Sequence, residues 1–139
     1  MINSENITDA ILNLRPQDRF DNPKKLNFFT GADVFYCSFK INAPEYSGVY
    51  RFLVNSSVMY IGRAKSLKGR LSRQYGTVSP RHPFKGGQGQ KCRINALINN
   101  ALVDGSIVTA QWEVCENYIE RERELLTAPS KKPTWNIKL

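Results

Sequence analysis

The stretch GVYRFLVNSSVMYIGRAKSLKGRLSRQY, residues 48–75, decides the reading of the fold. GVYRFLV (48–54) and VMYIG (58–62) are rich in β-branched and aromatic residues and flank the polar NSS, the pattern of a hairpin with a three-residue loop. With 55–57 as that loop, Val54 faces Val58, Phe52 faces Tyr60 and Tyr50 faces Gly62. Tyr50 and Tyr60 then share one face as diagonal cross-strand neighbours, and Gly62, without a side chain, leaves space beside the Tyr50 ring. A loop one residue shorter or longer would send the two tyrosines to opposite faces. At this level the pair is either two core aromatics with satisfied hydroxyls or two phenols presented to a site. SLKGRLSRQY (66–75) follows as a helix, with Leu67, Leu71 and Tyr75 at fourfold spacing and Ser66 as its cap.

Outward from this block the pattern continues. Residues 76–91 mix Gly, Pro, Lys and Gln without periodicity and read as a long basic loop. Ile94, Leu97, Ile98, Ala101 and Leu102 form a helical stripe over 92–103, closed by Asp104-Gly105. IVTAQWEVC (107–115) alternates as a third strand, NYIERERELLT (117–127) is a last helix, and APSKKPTWNIKL is the tail. Upstream, Ile7, Ile11, Leu12 and Leu14 suggest a short amphipathic helix stopped by Pro16, and residues 33–41 a strand. The expected fold is α+β: a small three-stranded antiparallel sheet flanked by helices in the order β-β-α-α-β-α. Residues 1–47 form an extension on or beside this core, and 48–139 the domain itself.

Composition narrows the function. The 139 residues, 41% hydrophobic and 23% charged, suit one soluble domain, and no apolar run reaches the roughly 18–20 residues that span a bilayer. The opening MINSENITDA is polar and acidic, unlike a signal peptide. Cys37, Cys92 and Cys115 are odd in number and widely spaced, which argues against a disulfide framework and for a reducing, cytoplasmic setting. The single histidine, His82, excludes zinc sites built from several imidazoles, so any proton transfer falls to other side chains.

Charge is unevenly spread over the chain's net +8. From Tyr46 to Val103 there is no Asp or Glu, while Arg51, Arg63, Lys65, Lys68, Arg70, Arg73, Arg81, Lys85, Lys91 and Arg93 make the segment +10. A basic surface kept for solubility is one reading; an electrostatic footprint for a nucleic-acid backbone is the sharper one. In the last helix Tyr118, Ile119, Leu125 and Leu126 define an apolar arc with Glu122 at its centre, whereas Glu120 and Glu124 fall outside it. A carboxylate on a packed face calls for a partner: an internal salt bridge or a cation. Arg70 flanks the Leu67–Leu71 seam, and its planar, permanently charged guanidinium suits phosphate oxygens.

These residues carry a resemblance. GVY at 48–50, MYIGRAKSLKGRL at 59–71, EREL-L at 122–126 and PTWN at 133–136 resemble, in order, the signature of the GIY-YIG nucleases, over about residues 46–138. The resemblance implies a GIY-YIG-like fold and an endonuclease that hydrolyses phosphodiester bonds. Tyr50 would be general base or its partner, with Tyr60 beside it, Arg70 on the scissile phosphate and Asn136 orienting the site. Arg63, where many members have Lys, would add positive charge, expected with Arg70 and a metal to lower the Tyr50 pKa. Glu122 would be the sole protein carboxylate on one Mg²⁺ or Mn²⁺; Glu124 restores the shorter spacing to Asn136 seen in excision-repair members and is the other candidate. Many members have Tyr or His four residues after the arginine, where this chain has Gln74, so Tyr75 or His82 is the expected substitute.

The expected substrate is DNA, double-stranded, contacted by Lys65, Lys68, Arg73, Arg81, Lys85, Lys91 and Arg93. Cutting both strands implies a homo-oligomer. The alternatives are a non-catalytic nucleic-acid-binding module on the same fold and an RNA-cleaving toxin. With the motif closing at Asn136, target choice is expected to come from residues 1–47, the 76–91 loop or a partner subunit, with no membrane involved.

Overall fold

The computed structural model of the chain describes residues 3–14, 35–77, 89–127 and 133–136. Its strands are β1 (Asn3–Asn6), β2 (Ile11–Leu14), β3 (Tyr36–Ser38), β4 (Gly48–Val54), β5 (Ser57–Ala64) and β6 (Val108–Val114). The helices are a π-helix (Gly69–Gln74), α1 (Gly89–Val103) and α2 (Tyr118–Thr127). The main sheet is antiparallel and ordered β1-β6-β4-β5, and β2 pairs separately with β3. The expected hairpin, third strand and two later helices are all present; α1 begins at Gly89, three residues inside the stretch whose composition suggests a loop.

Two expectations for the amino-terminal region change. The sheet has four strands, because polar β1 (NSEN) pairs along the free edge of β6. A backbone ladder on an edge asks little of side chains, so no hydrophobic alternation marks it. The stretch that suggests an amphipathic helix is instead extended at Ile11–Leu14. Ile11 is 62% exposed, Asn13 has a left-handed φ of 61°, and the Asn13 N–H donates to Asn99 Oδ1 at 3.0 Å. Ile7, Cys37, Phe39 and Ile41 pack into the same core as Tyr50, Phe52, Leu67, Leu71, Ile94, Ile98 and Trp112.

The hairpin reaches the expected register by another route. Its turn has two residues, Asn55 and Ser56, at φ 48° and 72°, the left-handed pair that a tight primed turn requires. Val54 faces Ser57 and Leu53 faces Val58, but Phe52 faces Tyr60 and Tyr50 faces Gly62. Met59 is the extra residue of a β-bulge, which restores the register that the shorter turn would have lost.

Sequence periodicity also misses Asn95, wholly buried among the apolar residues of α1. Its Oδ1 accepts the Cys37 N–H at 2.8 Å, and its Nδ2 donates to the carbonyls of Cys37 (2.7 Å) and Tyr75 (2.6 Å). One side chain thus ties β3 and the end of the π-helix to α1. Replacing it with leucine strands three buried backbone groups, at about 1–3 kcal/mol each. Asn95→Leu is expected to destabilise the protein by roughly 3 kcal/mol or more, read as a lower urea midpoint with unchanged slope.

Candidate active site

Tyr50 stands on β4, between β5 and β6, facing Gly62 on one side and Trp112 on the other. Its ring crosses over Gly62 so closely that a Cβ there would overlap the phenol. The Tyr50 and Tyr75 hydroxyls are hydrogen-bonded at 2.7 Å. With Phe52 and Tyr60 they form an aromatic group whose closest ring centroids are 5.5 Å apart (Phe52–Tyr75), with Tyr50 and Tyr60 at 6.2 Å.

The helix after β5 supplies the next elements. Ser66 Oγ accepts the Gly69 N–H at 3.1 Å, the expected cap. Leu67 and Leu71 are fully buried. The helix then widens to π geometry, and the Tyr75 N–H reaches the Arg70 carbonyl five residues back at 3.0 Å. The additional residue in the turn is why Tyr75, and not Gln74, meets the Tyr50 hydroxyl; π-turns of this kind recur at functional sites. Gln74 lines the open side instead. His82, Arg81 and Lys85 lie outside the described residues.

These elements border a cleft of about 680 Å³ lined by Tyr50, Tyr60, Arg63, Lys65, Arg70 and Glu122, among others. Arg70 is half-buried and its Nε has no hydrogen-bond partner among the described residues. Burial opposes its charge, yet the Tyr50 and Tyr75 phenols favour it, and its pKa moves upward on balance. Burial raises the Tyr50 pKa well above that of a free phenol; Tyr75 and Tyr60 push the same way and Arg70 opposes them. In the metal-free chain Arg70 alone does not lower the Tyr50 pKa, because a phenolate wholly removed from water loses more solvation than Arg70 returns. Burial likewise raises the Tyr75 pKa.

Glu122 reaches the cleft from α2, where Arg63 Nη1 donates to its Oε1 at 3.1 Å; the Arg63 and Glu122 side chains are 46% and 20% exposed. Glu124 is outside, 61% exposed and paired with Arg121. None of the α2 residues is buried and Ile119 is 45% exposed, so the helix rests on the sheet edge and does not pack the tight apolar arc its spacing suggested. Among the described residues no three ligating side chains cluster. A lone carboxylate in a roomy cleft suits a hard cation such as Mg²⁺, which keeps several of its waters.

Asn136 does not line the cleft. It brackets the outer edge of β5, accepting the Ile61 N–H at 3.0 Å and donating to the Ile61 carbonyl at 2.9 Å. The Trp135 N–H donates to the carbonyl of bulged Met59 at 2.7 Å. The PTWN segment thereby holds the backbone between Tyr60 and Gly62. Arg93, expected on nucleic acid, donates to the Trp135 carbonyl at 2.8 Å. Lys65 borders the cleft; Lys68 and Arg73 lie on the other flank of the helix, and Lys91 is on α1.

No family model matches the sequence. A segment of 33 residues (23% of the chain) is 64% identical to UvrABC system protein C of Rickettsia rickettsii strain Sheila Smith, and one of 39 residues (28%) is 49% identical to that of Fusobacterium nucleatum. The matches span 5% and 7% of those relatives' length. The fold is similar to that of a point mutant of bacteriophage T4 EndoII, at a TM-score of 0.52 and 22% identity, over 72% of this chain and 82% of that one. The two tyrosines, the arginine and the glutamate that carry the sequence resemblance thus border one cleft, on a fold similar to that of the EndoII mutant.

Proposed function

We propose that this chain is a divalent-metal-dependent endonuclease that hydrolyses phosphodiester bonds in DNA. The observation that carries the reading is the convergence in one basic cleft of two phenols, an arginine whose Nε has no partner among the described residues, and Glu122, the one carboxylate among the described lining residues. The scissile phosphate binds beside Arg70, whose fixed guanidinium stabilises the charge that develops on the phosphoryl oxygens. Attack in line with the leaving oxygen requires a water that gives up its proton to a nearby group.

Between the two phenols, Tyr60 is the better placed to take that proton, a step that requires its phenolate form. It is half-buried and borders the cleft, whereas Tyr50 is wholly enclosed, bonded to Tyr75 and held neutral by burial. Tyr50 then serves as the partner, positioning the reacting groups through its hydroxyl, and Tyr75 takes the supporting place that Gln74 leaves vacant. Glu122 would hold Mg²⁺ or Mn²⁺ once its ion pair with Arg63 opens. When bound, the ion supplies Lewis-acid stabilisation of the leaving oxygen. Asn136 acts at one remove, by fixing the strand that carries Tyr60. A double-strand break would take two such sites, and hence two copies of the chain.

Nicking of supercoiled plasmid with Mg²⁺ or Mn²⁺, and with chelator, tests the proposal. Glu122→Ala is expected to abolish cleavage with DNA binding nearly intact, Arg70→Ala to slow it about 10²–10³-fold, and Glu124→Ala to leave it close to wild type. Binding without cleavage by the wild-type protein would favour a non-catalytic module, and cleavage of RNA alone the toxin reading.

The state of Tyr50 is tested by alkaline titration. A raised pKa means the folded protein favours the neutral phenol, so this stabilisation is complete below the free phenol's pKa of about 10 and is lost as pH rises beyond it. In metal-free protein the ultraviolet phenolate signal of Tyr50 should develop only with alkaline unfolding, and Tyr50→Phe should remove a late-titrating phenol. A signal at or below about pH 10 that vanishes in Tyr50→Phe would return the base role to Tyr50.

A further inference from the structure

The helical segment at 67–74 has two basic flanks, and only one borders the cleft. Leu67 and Leu71 face inward; Arg70 and Gln74 line the cleft. On the other side of that seam Lys68 and Ser72 line a second hollow of about 440 Å³, closed by Lys40, Arg73 and Thr77. The strip bearing Lys40 is fixed against the helix: Ser72 Oγ accepts the Ile41 N–H at 2.8 Å and donates to the Ile41 carbonyl at 2.7 Å, and the Phe39 N–H reaches the Gly76 carbonyl at 3.0 Å.

Three cations border this hollow, with Asp9 the one carboxylate among its described lining residues. Lys40 and Lys68 are exposed and make no ion pair among the described residues. Arg73 meets Glu45 at 2.6 Å, but with side chains 64% and 61% exposed such a pair contributes little and exchanges readily for another anion. The hollow is thus a preassembled seat for phosphates, separated from the cleft by the width of one helix. A helix with its side chains is about 10–12 Å across, and the major groove of B-form DNA is about 12 Å wide.

We propose that this helix lies in the major groove of duplex DNA, with the cleft on one strand's backbone and the Lys40–Lys68–Arg73 hollow on phosphates of the other. The proposal rests on the nuclease reading above and narrows its substrate to duplex DNA, since a single strand occupies the cleft alone.

The test is fluorescence anisotropy in chelator across a salt series, with a duplex and a single strand of equal length. For the Lys40→Ala/Lys68→Ala double variant, duplex affinity should fall about tenfold or more near 0.15 M salt. The slope of log affinity against log salt should drop by about two, and single-strand affinity should hold. Equal losses on both substrates, or an unchanged slope, would overturn the proposal. Because binding is read without catalysis, a wild-type protein that cleaves nothing would sink the nuclease reading while leaving this result interpretable.

Discussion

Tyr50 passes over a residue that has no side chain, and the geometry of the cleft follows from that contact. The ring lies over Gly62 because the two residues are paired across β4 and β5. From there its hydroxyl meets Tyr75. A shift of one residue in the pairing would turn Tyr60 and Gly62 to the opposite face and leave Tyr50 against a side chain. Two local devices hold the register. A tight turn with left-handed Asn55 and Ser56 starts the pairing one residue early, and the bulge at Met59 takes that residue back. The bulge also frees the Met59 carbonyl to accept the Trp135 N–H, which places Asn136 against Ile61. A feature of the hairpin therefore determines where the PTWN segment docks.

The same accounting explains the π-helix. Tyr75 is five residues beyond Arg70, and an α-helix would carry it past the Tyr50 hydroxyl. Widening by one residue brings it back, and Asn95 secures the result through the Tyr75 carbonyl. Burial keeps the Tyr50 and Tyr75 phenols neutral, and the Arg70 guanidinium keeps its charge beside them despite its own burial. The cleft consequently holds a strong fixed cation in a partly dry setting, where a phosphate interacts far more strongly than in water. On the opposite wall Arg63 and Glu122 neutralise each other, so the carboxylate is a moderate, exchangeable anion.

Much of this is legible in residue order. The hairpin, the helix after it, the α1 stripe and the third strand follow from hydrophobic periodicity, which reports the faces that must leave water. The pairing of Tyr50 with Gly62 is legible too, although the loop length that leads to it is one residue too long and the bulge that compensates has no hydrophobic signature. Glu122 stands out as the carboxylate on the wrong face of a helix, and Arg63 is its partner. β1 is invisible because edge strands are held by backbone groups, and Asn95 because a buried amide inside an apolar stripe looks like noise in the pattern.

Sequence by itself determined which side chains are available for chemistry, with one histidine, a carboxylate-free basic stretch and an ordered tyrosine–arginine–glutamate signature, because composition and spacing are properties of the chain. Only the tertiary structure decided which of them meet and in what state. The burial that holds Tyr50 protonated, the π-turn that selects Tyr75 over Gln74 and the use of Asn136 as a strand clamp all arise from neighbours far apart in sequence. Desolvation and hydrogen-bond geometry depend on what lies nearby in space, and no local pattern of residues encodes that.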